Sequence, residues 1–262
     1  MNEIQTYLEE DGLLHCAVCK EPVEAFYPKG SFLEMRKHHR QCACERQAYA
    51  EEVKYYKEKE HQERVVRNKK ICFEEKEMED FIFQNVDRDS GAIRIAKEYV
   101  ANWQKMKKNH MGYLFWGPVG TGKSYLAACI ANALLEQEVT VKMTNFNTIL
   151  NDLFAAEDKT EYVRLLNVYE LLIIDDLGVE RNSEYALENI FSVIDWRYRS
   201  GKPLIITTNL PLAQLKQEIK IEKKRIYDRI LERCIPVKID GASRREAMAN
   251  DNMQIMKNIL KI

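Results

Sequence analysis

Net charge is the first thing this sequence lacks. Forty Lys and Arg oppose forty-one Asp and Glu across 262 residues. No whole-chain field draws the protein toward nucleic acid or membrane, so affinity of that kind has to come from local patches. Long apolar runs are missing too. Stretches such as LLII at 171–174 and PLII at 203–206 are strand-sized, well short of the ~20 residues a membrane helix needs. The opening MNEIQTYLEEDG has no basic start followed by an apolar run. No signal peptide is expected, and the expectation is a soluble cytoplasmic protein without a membrane partner. The 45% hydrophobic and 31% charged residues exclude disorder throughout and favour charge-rich helices.

Seven cysteines are present, but the count is odd and four of them fall within residues 16–44. That distribution favours metal binding over disulfides. Cys16-x-x-Cys19 and Cys42-x-Cys44, twenty-two residues apart, offer four soft ligands in two close pairs, as tetrahedral Zn²⁺ requires. The second pair is tighter than C-x-x-C, so His39 or His38 could replace one of these cysteines, with His15 a further candidate. Residues 1–48 read as a small, loop-rich zinc-binding module that has too little apolar content to fold without a staple.

No Gly or Pro interrupts residues 45–80, where mixed charge dominates. A mostly solvated helix is predicted there, with a linker assigned to 49–80. Its apolar positions are too irregular for a sustained heptad. From 81 to 262 short apolar runs alternate with amphipathic stretches, the pattern of a parallel sheet with crossover helices. The runs are GYLFW at 112–116, VTVKMTNF at 139–146, LLIIDDLG at 171–178 and PLIITTNL at 203–210, with IPVKI at 235–239 a candidate fifth strand. Ligands of open α/β sheets collect beyond the carboxyl ends of the strands.

The first run leads into Gly117, Pro118, Val119, Gly120, Thr121, Gly122, Lys123 and Ser124, which satisfy G-x-x-x-x-G-K-[ST] between a predicted strand and a predicted helix. Glycines let backbone N–H groups turn inward around phosphate oxygens, and the following helix presents its positive end to the same charge. Lys123 is expected to reach the β- and γ-phosphates of ATP, and Ser124 to supply an oxygen to Mg²⁺. LLII then delivers Asp175 and Asp176 to a strand end. Asp175 is the expected Mg²⁺ ligand and Asp176 the group that polarises the attacking water. Thr207, Thr208 and Asn209 close the next strand, and the Asn209 amide is the candidate for positioning that water.

This order of motifs, followed by RIYDRILERC and GASRRE, resembles the AAA+ ATPases. GPVGTGKSYLAACIANAL, LLIIDDLG and IDWRYRSGKPLIITTNL look more narrowly like DnaC/DnaI-type helicase loaders and the related IstB transposition ATPases, over about residues 80–250. The resemblance implies an α/β AAA+ fold with a reduced lid. It places Asn209 at sensor 1, Arg229 at an arginine finger acting on a neighbouring subunit's nucleotide, and Arg245 at sensor 2, with Arg225 and Arg244 adjacent. Asp176, where many AAA+ proteins have Glu, implies slow hydrolysis stimulated by DNA or a partner. An amino-terminal cysteine domain resembles that of DnaI-type and phage loaders, where it docks the helicase; IstB proteins are not expected to carry one.

The implied function is loading of a DnaB-type hexameric helicase onto single-stranded DNA, with self-association through the ATPase domain. A transposase-regulating ATPase and a zinc adaptor with a silent ATP site are the rivals. Candidate DNA contacts are Lys159, Tyr162 and Arg164, the patch Lys105, Lys107 and Lys108, and residues 216–238, which hold eight basic against four acidic residues.

Overall fold

The computed structural model describes residues 5–34, 36–85, 91–178, 183–241 and 243–260; of 244–248, 250, 251 and 258 it describes the backbone alone. The chain forms two compact units, residues 1–63 and 64–262.

The first unit carries two short antiparallel hairpins. β1 (Thr6–Leu8) pairs with β2 (Leu14–Cys16), Thr6 opposite Cys16. β3 (Glu24–Phe26) pairs with β4 (Lys37–His39), Glu24 opposite His39. Its buried core is Cys16, Val23 and Cys42, with Leu14, Cys19 and Cys44 packed against them. Helix α1 (Ala43–Cys72) starts from this unit. Glu45 in its first turn accepts a hydrogen bond from the Cys42 N–H at 3.0 Å, half of a capping box. Lys69 and Lys70 in the last turn oppose the negative helix end.

The division between the units falls inside α1, and the helix ends at Cys72 rather than near 80. It is solvated for most of its length, but Val65, Cys72 and Phe73 are buried. Val65 and Cys72 lie at i and i+7 on one stripe of the helix, and Phe73 follows directly after its end. Cys72 and Phe73 join the ATPase core, and Arg64 and Lys69 pair with Glu138 and Glu136 at 2.8 and 3.1 Å. A stripe that narrow does not stand out among so many charges, so sequence periodicity missed it.

The second unit is built on five strands. They are β5 (Gly112–Trp116), β6 (Val141–Asn145), β7 (Leu171–Leu177), β8 (Leu204–Thr208) and β9 (Cys234–Lys238). All run parallel in the order β6-β7-β8-β5-β9. Strand pleat sends alternate residues to opposite faces. Tyr113, Phe115, Leu171, Ile173 and Ile205 join one core with α2 (Gly91–Ala101), α3 (Trp103–Lys108) and α4 (Lys123–Leu135). Leu114, Leu172, Ile174, Leu204 and Ile206 join the other. That second core is covered by α5 (Phe146–Ala155), α6 (Lys159–Leu166), α7 (Glu184–Ser200), α8 (Leu212–Lys216) and α9 (Ile221–Arg233). α10 (Arg244–Leu260) ends the described chain.

One buried charge organises the far end of the sheet. Arg197 of α7, 1% exposed, donates to the carbonyls of Tyr169 and Glu170 at 2.9 and 2.8 Å and to that of Pro203. These carbonyls lie just ahead of β7 and β8, so one guanidinium ties both strand starts together. No sequence motif singles out Arg197.

Candidate nucleotide site and cysteine cluster

The strand order brings β7, β8 and β5 side by side, so the polar groups at their carboxyl ends share one edge of the sheet. The loop 117–122 leaves β5 and enters α4 at Lys123. Two of its glycines are sterically required. Gly117 and Gly120 have φ of +146° and +81°, and a Cβ on either would lie 2.3 Å from the Ile239 carbonyl oxygen or the Ser243 Oγ respectively. The Gly120 contact also sets Ser243 directly against the phosphate loop. Thr121 Oγ1 donates to the Pro118 carbonyl at 2.9 Å. Lys123, 5% exposed, donates to the carbonyls of Gly117 and Pro118 at 3.1 and 2.8 Å. Its ammonium is thus held within the loop that is built to surround phosphate.

Opposite the loop, β7 is irregular. Ile174 pairs with Ile206 and Leu177 with Thr208, so Asp175 and Asp176 together face the single residue Thr207. This is a β-bulge, a device that re-aims side chains beside functional sites. Asp176 takes the left-handed conformation, φ +55°. Thr207 Oγ1 donates to Asp175 Oδ1 and accepts the Asp176 N–H at 2.9 Å. Asn209 Nδ2 faces Asp176 Oδ1 at 3.4 Å. Burial pushes the Asp175 carboxyl above the usual carboxylate range; hydrogen bonds from Thr207 and Ser124 and the charge of Lys123 oppose this, while the Asp176 charge adds to it.

Gly117 to Ser124, Asp175, Asp176 and Asn209 therefore meet at one sheet edge. The oxygens of Ser124 and Asp175, near enough for Ser124 to influence the Asp175 carboxyl, are hard donors suited to Mg²⁺ beside a triphosphate.

The candidate arginines have different surroundings. Arg229 lies on α9, paired with Asp195 of α7 at 2.7 Å. Its guanidinium and that of Arg225 both stack on Phe191, each at 4.5 Å, and Arg233 stacks on Tyr198 at 4.6 Å. The three arginines thus form a ladder along one face of α9. Arg244 and Arg245 begin α10, but their side chains lie outside the described residues. Of the candidate DNA contacts, Lys159 sits over the Tyr185 ring at 4.7 Å, the Tyr162 hydroxyl donates to Asp152 at 2.8 Å, and Arg164 pairs with Glu161 at 3.8 Å. Lys107 is paired with Glu170.

In the first unit Cys16, Cys19, Cys42 and Cys44 converge, their sulfurs all within 4.8 Å of one another. Zn–S bonds of ~2.3 Å place tetrahedral thiolates ~3.8 Å apart, so an all-sulfur set of this size fits Zn²⁺. The N–H groups of Glu21 and Cys44 draw the Cys19 thiol down to about 6, whereas hydrogen bonding with Cys19, followed by burial, pushes Cys44 up to about 12. Convergent thiols, one of them drawn toward the thiolate, are the electrostatic setting that a cation completes.

The four cysteines group together, and the histidines considered as substitutes for one of them have other surroundings. His39 is largely exposed and faces Glu45 at 3.3 Å, His38 bonds the His39 carbonyl, and His15 is held by Asp11 and the Lys20 carbonyl. The tight Cys42-x-Cys44 pair works because Cys42 sits just before α1 and Cys44 in its first turn, so the helix start curls both sulfurs toward Cys16 and Cys19. Among the described residues no helix is long and apolar enough to cross a membrane.

Known proteins agree with this geometry. The replicative helicase loader DnaC of Escherichia coli (strain K12) is 29% identical over 144 residues, covering 53% of this chain and 56% of that protein. The match thus spans little more than half the length of that relative. The replicative helicase loader DnaI of Bacillus subtilis (strain 168) is 21% identical over 271 residues, covering 94% of this chain and 82% of DnaI. The crystal structure of DnaI superposes with a TM-score of 0.58 at 27% identity, covering 68% of this chain and 99% of that one. The family model for IstB-like ATP binding proteins matches residues 41–251. An AAA+ P-loop sheet, a complete phosphate loop and a match over most of its length together make this chain a member of the IstB-like ATP-binding protein family.

Proposed function

We propose that this chain is an ATP-dependent loader that delivers a DnaB-type replicative helicase to single-stranded DNA. The observation that carries the reading is where the similarities begin and end. The family match starts at residue 41 and leaves out both hairpins of the cysteine unit. The alignment with the helicase loader DnaI takes in 94% of the chain, too much to omit that unit. An ATPase of this family with a Cys₄ module ahead of it therefore has the layout of a loader, with the module as the helicase-docking part.

In this reading Lys123 binds the β- and γ-phosphates, Ser124 and Asp175 hold Mg²⁺, Asp176 polarises the attacking water and Asn209 positions it. Mg²⁺ would neutralise charge developing on the phosphates. Arg245 acts on the nucleotide of its own subunit. Arg229 would leave Asp195 for the nucleotide of a neighbouring subunit, which makes ATP state and self-association interdependent. Arg229→Ala should then lose stimulated hydrolysis while still binding nucleotide. The alternative is an IstB-like ATPase regulating a transposase, with which the match to the IstB-like ATP binding protein family is equally compatible.

Co-purification separates the two. The full chain should retain a DnaB-type helicase, and Cys42→Ser should lose it without loss of nucleotide binding. Retention of a transposase and not of the helicase would sink the loader reading.

A further inference from the structure

Thr207 has no role in the sequence motifs, yet it touches both carboxylate residues of the site. Its side chain is fully buried and so meets neither solvent nor nucleotide. It is the one residue of β8 opposite the two-residue bulge of β7. Its hydroxyl donates to Asp175 Oδ1 and accepts from the Asp176 backbone N–H. A hydroxyl offers one donor and two acceptor lone pairs, so one atom fixes the carboxylate of Asp175 and the left-handed backbone of Asp176 together. Thr208, equally buried, spends its hydroxyl on the Leu177 carbonyl at 2.7 Å and the Leu210 N–H at 3.1 Å. The neighbour therefore shapes backbone alone.

We propose that Thr207 is the positioning residue of the hydrolytic site, its hydroxyl setting the relative aim of the Asp175 and Asp176 carboxylates. A mobile Asp176 in the left-handed region would swing its carboxylate away from Asn209, and an unheld Asp175 would lose the orientation that lets it share a cation with Ser124. The inference rests on the roles given above to Asp175 and Asp176.

The test compares Thr207→Val, which keeps shape and removes the hydroxyl, with Thr207→Ser, which keeps the hydroxyl. Two quantities are read: kcat for ATP, and the gain in affinity for a non-hydrolysable ATP analogue when Mg²⁺ is added. Removing an outer-shell partner of a metal ligand typically costs about 10- to 100-fold. T207V should lose about that much in kcat and in the Mg²⁺-dependent gain, with Mg²⁺-free analogue binding unchanged, and T207S should restore both. Thr208→Val should leave the Mg²⁺-dependent gain intact, which an unspecific strand defect would not.

T207V with wild-type kcat and Mg²⁺ response would overturn the proposal, and so would T207V and T208V failing alike. If T207V does not fold, Thr207→Cys asks the same question with a weak donor of similar size. Asp175→Asn separates the layers. If it leaves the Mg²⁺ response unchanged, the assignment of Asp175 fails; if it abolishes that response while T207V does not, the inference about Thr207 fails.

Discussion

If the Cys₄ cluster holds Zn²⁺ as proposed, removing the metal should unfold the first unit and spare the second. Beyond its cysteines, the buried core of that unit is Val23, with Leu14 partly packed against it. Fully burying one aliphatic side chain contributes roughly 1.5–3 kcal/mol. A structural Zn²⁺ contributes about 10–16 kcal/mol in zinc-finger peptides near neutral pH, several times more than this packing. The hairpins β1-β2 and β3-β4 have three residues per strand, too short to persist alone. The second unit holds two separate hydrophobic cores that use none of these four cysteines.

The assay is elemental analysis of the purified full chain, followed by chelator titration read by limited proteolysis and by nucleotide binding. One zinc per chain is expected, with chelation opening new cleavage sites within residues 5–42 while nucleotide binding persists. Cys42→Ser should reproduce the chelated pattern. A metal-free chain whose first unit stays protease-resistant would refute the reasoning.

Three further outcomes follow from the site and the core. Asp176→Asn should cut ATP turnover by about 10²-fold or more, as expected for loss of a general base, with nucleotide affinity retained in a binding titration. Burial raises the Asp175 carboxyl, so the folded state holds that proton more tightly than the unfolded chain. Stability from this group is present at low pH and lost as pH rises through its raised value. Asp175→Asn should accordingly raise the Tm of the nucleotide-free protein at neutral pH, and the gain should shrink in mildly acidic buffer; equal melting at neutral pH would contradict this. Arg197→Met strands three carbonyls ahead of β7 and β8. At about 1.5–3 kcal/mol per charge-assisted hydrogen bond, less what relaxation recovers, denaturant unfolding should show a loss of roughly 3–5 kcal/mol.

The sequence by itself determined the nucleotide site and the sheet. The spacing of Gly117, Gly120, Gly122 and Lys123 is a local requirement of backbone geometry around phosphate, so it is written in consecutive residues. The five strands were legible because strands buried on both faces need continuous apolar runs, and LLII and PLII are such runs. The cysteine pairs were legible as candidate ligands for the same local reason, but not that all four sulfurs converge while the histidines lie apart. That depended on where the end of β4 and the start of α1 point.

Tertiary structure alone decided the contacts made across long separations. Thr207 reads in sequence as one more β-branched strand residue, and its hydroxyl acquires meaning only because a bulge thirty-one residues away leaves two aspartates facing it. Arg197 looks like one charge among several at the end of α7 until β7 and β8 lie beside it. Arg229 looks solvated until Phe191 and Asp195 on the neighbouring helix are packed against it. Pairings of this kind carry no period and no fixed spacing, because they are set by which strand lies next to which.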